Sequence, residues 1–559
     1  MRELVRLIIN IKECNLYKLD SLALEFLKEC SQNYYDYLKT YDLGFEEIRI
    51  AQISVNVFGL QLQLYSKLYS LEGLVLQDEK ETFKIDETSQ IAAIFYDEKT
   101  KILTLGVDDE ELKNRLIKNP QNLKLYCDLK FLVENVRNFY RDNSTLSLPH
   151  KPSNLSPDFT DSSLHKEQIT ALNGIFTEPL SYVWGAAGTG KTKVILLNAL
   201  SFYMKNNLRV AILAPTNNAL EQCLDALLER FQTLHLETKQ ILRLGTPSQK
   251  FALKYPINCD PLLSDRFSYK NFLHQSLIIA ATFDTFLRRI ELRELEFAHF
   301  FVDEAGFSPL IKVLPLCAFA KPLTLLGDHK QLKPICVVKQ KEEMDWNLAT
   351  FWRFSSLYLK SFFDNPQDFL VKENPSILPL IPTFKLTHTY RYGDNLAKLL
   401  DSHIYQNGLQ GQAKETMLFL LDTPCSNDTK STNENHSEAQ QCIRLAQMFL
   451  QEKGDFAIIT PFVNQRRLIL QKFPALRNDD YVFTIHSSQG QEFDTIIFSP
   501  VHLHYHLSDS RNQDALFSLN VALSRAKEKI ILVCDKRYWQ GYPQQFLTQL
   551  IKIAKPIRI

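Results

Sequence analysis

The run Tyr182-Val183-Trp184-Gly185-Ala186-Ala187-Gly188-Thr189-Gly190-Lys191-Thr192-Lys193-Val194-Ile195-Leu196 decides the fold. A short apolar run enters Gly185 to Thr192, which satisfies G-x-x-x-x-G-K-[ST], and a helical pattern from Val194 to Leu200 follows directly. Strand, glycine loop and helix in that order make a phosphate cradle. Gly185, Gly188 and Gly190 let the backbone N–H groups of the loop, Thr189 included, close around phosphate oxygens. The helix N-terminus adds positive dipole, Lys191 reaches the β and γ phosphates, and Thr192 ligates magnesium. An ordinary glycine turn is the bland alternative, and the flanking strand and helix argue against it.

A cradle alone does not say what is hydrolysed, so its partners matter. Downstream, Phe301-Val302-Asp303-Glu304-Ala305-Gly306 ends an apolar run with two carboxylates. Asp303 is suited to hold magnesium and Glu304 to orient or deprotonate the attacking water. Judged by itself such a pair is as often a solvated turn. Gly327-Asp328-His329-Lys330-Gln331 again follows an apolar run, and Gln331 is suited to bond a γ-phosphate or its water. Upstream, Gln168 offers an amide that can pair both edges of adenine. Cations must also meet the charge that develops on the γ-phosphoryl group. Arg391, in Thr389-Tyr390-Arg391-Tyr392, and Arg525, in Asn520 to Lys527, qualify, although a single arginine is more often a surface ion pair. ATP and Mg2+ are therefore the expected ligands.

At 559 residues the chain exceeds one hydrophobic core, and at ~150 residues per domain it should form three or four units. With 45% hydrophobic and 23% charged residues it is far from a disordered composition. Lysine plus arginine (64) balance aspartate plus glutamate (64), so any nucleic-acid binding must be local and not field-driven. The ten cysteines form no C-x-x-C pair, so most are expected as small buried hydrophobes in a reducing compartment, cytoplasmic or nuclear. The opening, Met1 to Arg6, lacks the apolar core of a signal peptide, and no run is long enough to cross a bilayer.

Along the chain, Leu19, Leu22, Ala23, Phe26, Leu27 and Cys30 predict an N-terminal helical segment within residues 1–45, capped by Asp20 or Ser21. Short β-rich runs over 46–112, such as Ile48 to Phe58 and Leu60 to Leu68, predict a small antiparallel barrel or sheet. Leu125, Leu129, Leu132, Val133, Val136 and Phe139 predict a stalk helix, and the proline-bearing stretch Asp142 to Asp161 a linker, within 113–160. Beyond Leu164, apolar runs alternate with helical patterns, the rhythm of parallel α/β sheets. One α/β lobe is expected over 161–375, with strands at Tyr182 to Trp184, Val210 to Leu213, Leu277 to Ala280, Phe300 to Val302 and Leu323 to Leu326. A short helical insertion interrupts it at about 225–275. A second lobe is expected over 376–559, with strands at Phe456 to Thr460, Val482 to Thr484, Thr495 to Phe498 and Lys529 to Val533. Ser426 to Ser437 reads as a surface loop.

In this order the blocks resemble the superfamily 1 helicases. The particular likeness is to subgroup B, the group of the RNA-surveillance helicase of nonsense-mediated decay, senataxin and the replication helicase-nuclease. The blocks are Gln168, the glycine loop, Ala214-Pro215-Thr216-Asn217-Asn218-Ala219, Ala281-Thr282, Asp303-Glu304-Ala305-Gly306, Gly327 to Gln331, Tyr390-Arg391, Thr460-Pro461-Phe462, Thr484 to Glu492 and the Arg525 block, spanning roughly 164–535. The resemblance implies two tandem RecA-like lobes, Tyr390 stacking on adenine, and Gly490 and Glu492 coupling the lobes. It implies strand contacts at Thr216, Asn217, Thr282, Thr460, Pro461, Thr484 and Ser487, although each hydroxyl alone also suits a cap or turn. Leu332-Lys333-Pro334-Ile335-Cys336 stands where subgroup A carries a base-stacking aromatic, which favours subgroup B and, by analogy, 5′ to 3′ movement. The cysteine-rich domain of the surveillance helicase has no counterpart, and His486-Ser487-Ser488 departs from the usual acidic residue of that block.

The reading is an ATP-dependent helicase or translocase on single-stranded DNA or RNA, with the N-terminal region as the candidate surface for a protein partner and no membrane. The alternative is an ATP-dependent clamp or switch subunit that does not unwind. A P-loop kinase or GTPase would need neither the second lobe nor the Asn520 to Lys527 block.

Overall fold

The computed structural model describes residues 18–559 except 57–58, 67, 69–70, 99, 153–154, 156, 158, 160–163, 264–268, 339–341, 343–344, 349, 371–379, 426–428 and 478–480. The readings made on Met1 to Arg6, Phe58, Asp161 and Ser426 lie outside the described residues. The chain forms two compact units. One holds Met1–Val183, Thr192–Leu326 and Pro334–Phe384, and the other Trp184–Lys191, Gly327–Lys333 and Lys385–Ile559. The expected lobe division at 375/376 falls within 371–379, outside the described residues. By contact the tips 184–191 and 327–333 group with 385–559, because the glycine loop bonds to residues 389 and 390.

In the first unit, helix Ser21–Thr40 is capped by Asp20, whose carboxylate accepts from Leu22 N–H at 2.7 Å. Its buried stripe is Ala23, Leu24, Leu27, Cys30, Tyr34, Tyr37 and Leu38, whereas Leu22 is 67% exposed and lies off the stripe. This helix packs on helix Lys130–Asp142, which buries Val133, Val136, Phe139 and Tyr140. The chain between the two helices forms an eight-stranded sheet: β1 (Phe45–Ile48), β2 (Ile50–Asn56), β3 (Gly59–Leu64), β4 (Leu74–Gln77), β5 (Thr82–Ile85), β6 (Ile91–Asp97), β7 (Ile102–Val107) and β8 (Lys124–Asp128), in the order β1-β8-β4-β5-β6-β7-β3-β2. Strict alternation makes β3: Leu60, Leu62 and Leu64 enter the core while Gln61 and Gln63 face outward. Leu125 is corrected here, since it belongs to β8, paired with β1 and β4, and the helix begins only at Lys130.

The same unit carries a seven-stranded sheet of β9 (Leu180–Gly185), β10 (Val210–Ala214), β11 (Ile241–Arg243), β12 (Ile278–Thr282), β13 (His299–Val302), β14 (Leu323–Gly327) and β15 (Thr383–Leu386), ordered β11-β12-β10-β13-β14-β9-β15. Strands β9, β10, β12, β13 and β14 are buried along their whole length, as parallel strands covered on both faces are. The stretch 225–275, expected as a helical insertion, also supplies β11, which pairs parallel to β12. Tyr140 OH donates to Ile311 O at 2.8 Å and Thr246 Oγ1 to Ala93 O at 2.9 Å, tying helix and eight-stranded sheet to this layer. Buried ion pairs add to the joint: Arg288 grips both Glu87 oxygens at 2.7 Å, and Arg289, itself held by Asp260 at 2.7 Å, reaches Glu87 at 3.3 Å.

In the second unit a short pair, β16 (His388–Gly393) and β17 (Gln410–Ala413), precedes a parallel sheet. Its strands are β18 (Met417–Asp422), β19 (Phe456–Thr460), β20 (Val482–Thr484), β21 (Phe493–Phe498), β22 (Ala526–Cys534) and β23 (Lys555–Pro556), ordered β20-β19-β21-β22-β18-β23. Helix His436–Glu452 starts at Asn435, whose side chain accepts from Glu438 N–H, and Thr429–Thr432 forms a helical turn within the stretch read as a loop. The α/β expectation with parallel sheets holds. Among the described residues all nine cysteines are free, five of them buried, and no helix is long and apolar enough to cross a membrane.

Candidate functional site

Strand β9 delivers the chain to Gly185, where the cradle begins. Gly188 and Gly190 sit at φ +79° and +93°, and a Cβ on Gly188 would lie 2.5 Å from Arg391 Cβ, so both positions require glycine. Three loop carbonyls are satisfied by protein donors: Thr189 Oγ1 donates to Ala186 O (2.9 Å), Thr389 Oγ1 to Ala187 O (2.7 Å) and Tyr390 N–H to Gly188 O (2.9 Å). Lys191 Nζ donates to the carbonyls of Gly185 (2.6 Å) and Ala186 (3.1 Å), which holds the ammonium over the loop. The following helix opens with a wide π-helical turn over Lys191–Leu196 and becomes α-helical only at Leu197–Lys205. A loop whose carbonyls are engaged and whose turns exclude Cβ atoms fits a triphosphate.

Asp303 and Glu304 follow β13, in the same sheet as β9 with β14 between. Asp303 is buried and its Oδ1 accepts from Glu304 N–H at 3.0 Å. Glu304 lies at φ +53°, a left-handed conformation that non-glycine residues seldom adopt and that clusters at functional sites. Burial, with Asp303 beside it, pushes the Cys223 thiol well up and keeps it protonated. Among the described residues no three His, Cys, Asp or Glu side chains group to hold a metal unaided. Thr192 and Asp303 offer one hydroxyl and one carboxylate, a set that suits magnesium completed by phosphate oxygens and water.

Gln168 is buried, and its Oε1 accepts from His165 N–H at 3.0 Å, closing a capping box at the start of helix Lys166–Thr177. Tyr390 is 48% exposed, and its backbone N–H is the one that closes on Gly188 O. Arg391 donates to Ser524 O at 3.1 Å and pairs with Glu492. The positive φ of Gly490 (+81°) turns the chain so that Gln491 O accepts from Arg525 Nη1 at 3.3 Å.

Arg525 is buried, and its Nη2 reaches Gln331 Oε1 at 3.4 Å. Gln331 Nε2 donates to Asp328 Oδ2 at 3.0 Å. Tyr405 OH donates to that same oxygen at 2.7 Å and accepts from Asn520 Nδ2 at 2.8 Å, while Trp184 Nε1 donates to Asp328 Oδ1 at 3.1 Å. Burial pushes the Tyr405 phenol well up, so it stays a donor, and pushes His329 down to about 4, leaving a neutral imidazole 4.4 Å from the Trp184 ring. The structure thus brings the glycine loop, Gln331, Tyr390, Arg391, Glu492 and Arg525 into one unit, whereas Gln168, Thr192, Asp303 and Glu304 belong to the other. Sequence reasoning assigned no role to Asp328, Tyr405, Trp184 or Asn520. Asp328 could have been found as the acid preceding Gln331, but Tyr405 carries no local signal.

The expected strand contacts divide by exposure. Thr216 and Ser487 are exposed, and Asn217 and Thr484 are half-buried. Thr216 caps helix Asn217–Thr233, Asn217 Oδ1 accepts from Arg243 at 2.7 Å, and Thr484 and Ser487 bond each other at 3.0 Å. Thr282, Thr460 and Pro461 are buried, and the Thr282 hydroxyl donates to Glu72 in the turn that precedes β4. In this conformation the Thr282 side chain serves an internal joint.

Two family models, each described as an AAA domain, match residues 168–336 and 377–537. The regulator of nonsense transcripts 1 of Dictyostelium discoideum is 27% identical over 417 residues, covering 66% of this chain and 30% of that protein. The ATP-dependent helicase upf1 of Schizosaccharomyces pombe is 24% identical over 69% of this chain and 46% of its own length. The DNA replication ATP-dependent helicase/nuclease dna2 of the same yeast is 25% identical over 68% and 28%. The chain spans less than half the length of these curated relatives. Among solved structures, an arterivirus nonstructural protein 10 helicase aligns over 90% of this chain and 78% of its own, at 11% identity and a TM-score of 0.40. In sequence the chain is thus similar to the regulators of nonsense transcripts and to the replication helicase/nucleases, the group its motif blocks resemble.

Proposed function

We propose that the protein hydrolyses ATP to move along single-stranded DNA or RNA, in the 5′ to 3′ direction. The observation that carries this reading is the chain of contacts joining the glycine loop to both arginines. Gly188 is closed by Tyr390, Arg391 follows it, and Arg525 reaches Gln331 beside Asp328 and Trp184. Such a chain lets the state of the phosphates bias the arrangement of 385–559.

Each side chain then has a task. Lys191 and the loop N–H groups bind the β and γ phosphates, Thr192 and Asp303 hold magnesium, and Glu304 orients the attacking water and accepts its proton. When bound, magnesium neutralises phosphate charge and fixes the phosphate oxygens. Gln331 bonds the γ-phosphate or its water, and Arg391 and Arg525, now engaged with Glu492 and Gln331, turn to the charge that develops at the γ position. Tyr390 stacks on adenine and Gln168 reads its edge. Thr216, Asn217, Thr484 and Ser487 hold the strand backbone, which suits a motor blind to sequence. The protein acts inside the cell, in cytoplasm or nucleus, and the N-terminal region takes a protein partner.

The test is ATPase activity with and without single-stranded DNA or RNA at fixed salt, paired with strand displacement on tailed duplexes of both polarities. The expected result is turnover stimulated by a strand and displacement from a 5′ tail. ATPase indifferent to every strand sinks the motor reading, and stimulated ATPase without displacement favours a translocating clamp.

A further inference from the structure

The segment Val501-His502-Leu503-His504-Tyr505-His506 carries four ring side chains and no role in the site described above. Its place follows from topology. Strands β19 and β21 are parallel neighbours, with Ile459 opposite Phe498, so Thr460 to Phe462 and Ser499 to His506 leave the sheet at the same end. Ligands of parallel sheets bind outside the carboxyl ends of the strands. Within that end Phe462 stacks on His502 at 4.7 Å and meets His504 edge-on at 5.8 Å. The rings continue outward, His504 to His506 at 6.1 Å and tilted by 51°, and His506 to Tyr505 at 5.0 Å and edge-on at 83°.

This array is held rigid. Val501, a β-branched residue at φ +63°, is kept there by its N–H bond to the buried Glu438 at 3.1 Å, and Leu503 N–H donates to Tyr538 OH at 3.0 Å. His504 N–H donates to Ser508 Oγ at 2.8 Å, while His504 O accepts from the N–H groups of Leu507, Ser508 and Asp509. At the tip of this pinned turn Tyr505 is 61% exposed and His506 is exposed beside it. Rings presented on a preorganised backbone lose little entropy when a flat partner arrives. Every nucleobase offers such a flat face, and stacking on it needs no sequence readout.

We propose that the exposed ring of Tyr505, braced edge-on by His506, forms a base-stacking platform on which an unpaired nucleotide of the bound strand rests. The inference builds on the strand-binding function proposed above and adds a contact to bases where the other expected contacts are to the backbone. The platform explains how a chain with balanced charge grips a strand: part of its affinity comes from stacking and is insensitive to salt.

The experiment is fluorescence anisotropy of a labelled single-stranded oligonucleotide, as DNA and as RNA, against the same strands carrying abasic sites. Wild-type protein, Tyr505→Ala, His506→Ala and Tyr505→Phe are compared at one salt concentration. Tyr505→Ala is expected to weaken binding about fivefold to a hundredfold, the range of one lost base stack, and to lose the wild-type preference for intact over abasic strands. Tyr505→Phe, which keeps the ring, is expected to stay within about threefold of wild type, since a Tyr OH adds at most one bond. A Tyr505→Ala protein with the wild-type thermal midpoint, the wild-type affinity and the wild-type abasic discrimination overturns the platform and leaves the motor reading standing. Wild-type protein that binds no strand overturns both.

Discussion

The phenol of Tyr405 donates to Oδ2 of Asp328 at 2.7 Å, across 77 residues of sequence, and both side chains are buried. Replacing the phenol by Tyr405→Phe takes a donor from a buried carboxylate and an acceptor from Asn520 Nδ2. The expected cost is about 1–3 kcal/mol, the penalty for a buried group left short of a partner. Urea unfolding measures it directly. Because Asp328 also positions Gln331, ATP turnover should fall in the same variant, and a Tyr405→Phe protein with parental stability and turnover contradicts the link.

Gly188→Ala introduces a Cβ at φ +79°, 2.5 Å from Arg391 Cβ. The left-handed backbone alone costs about 1 kcal/mol, and the clash must in addition displace either the loop or β16. Nucleotide affinity, followed by titration with a fluorescent ATP analogue, is expected to drop tenfold or more. Unchanged affinity would mean that the loop takes up phosphate in another conformation.

Glu304→Gln keeps the size of the side chain and its left-handed backbone but removes the base. Turnover should slow by about two to four decades while ATP and strand binding persist. A single-turnover assay separates this from a binding defect, and near-normal chemistry would relieve Glu304 of its role.

Glu438 gives a pH signature. It is buried, accepts from Ser499 Oγ at 2.6 Å and from Val501 N–H at 3.1 Å, and burial pushes its carboxyl up to about 8. Below about 4.5 the group is protonated in folded and unfolded chains alike, and its contribution is complete. As pH rises from there to about 8, the unfolded chain ionises while the folded one keeps its proton, so stability is lost through that window. The total is on the order of 5 kcal/mol. Glu438→Gln, neutral throughout, should flatten that part of the pH–stability curve, and a parallel curve would show that Glu438 titrates normally.

Strands buried along all or most of their length were the most legible part of the chain. The runs Phe456 to Thr460 and Val482 to Thr484 coincide with β19 and β20, because an apolar run bounded by turn residues admits few other folds. Strands such as β17, Gln410–Ala413, have no apolar pattern to read and exist because they pair with β16. Leu125 fell into a helical reading because its spacing to Leu129 and Leu132 fits a 3.6 period, although its partners are in β4. In the site, the motif residues announced themselves by type and spacing. Tyr405 did not, since its partners Asp328 and Asn520 are met only through the fold.

Trp184 also gives the molecule an optical reporter. The chain has four tryptophans, at 184, 346, 352 and 539, and of these Trp184 immediately precedes Gly185 of the cradle. Its indole N–H is fixed on Asp328 and its ring lies against His329, which is uncharged near neutral pH and so quenches weakly. Emission from this one side chain should therefore change when a nucleotide enters the loop or when the Asp328 contacts rearrange. Turnover could then be followed in unlabelled protein, with Trp184→Phe as the dark control.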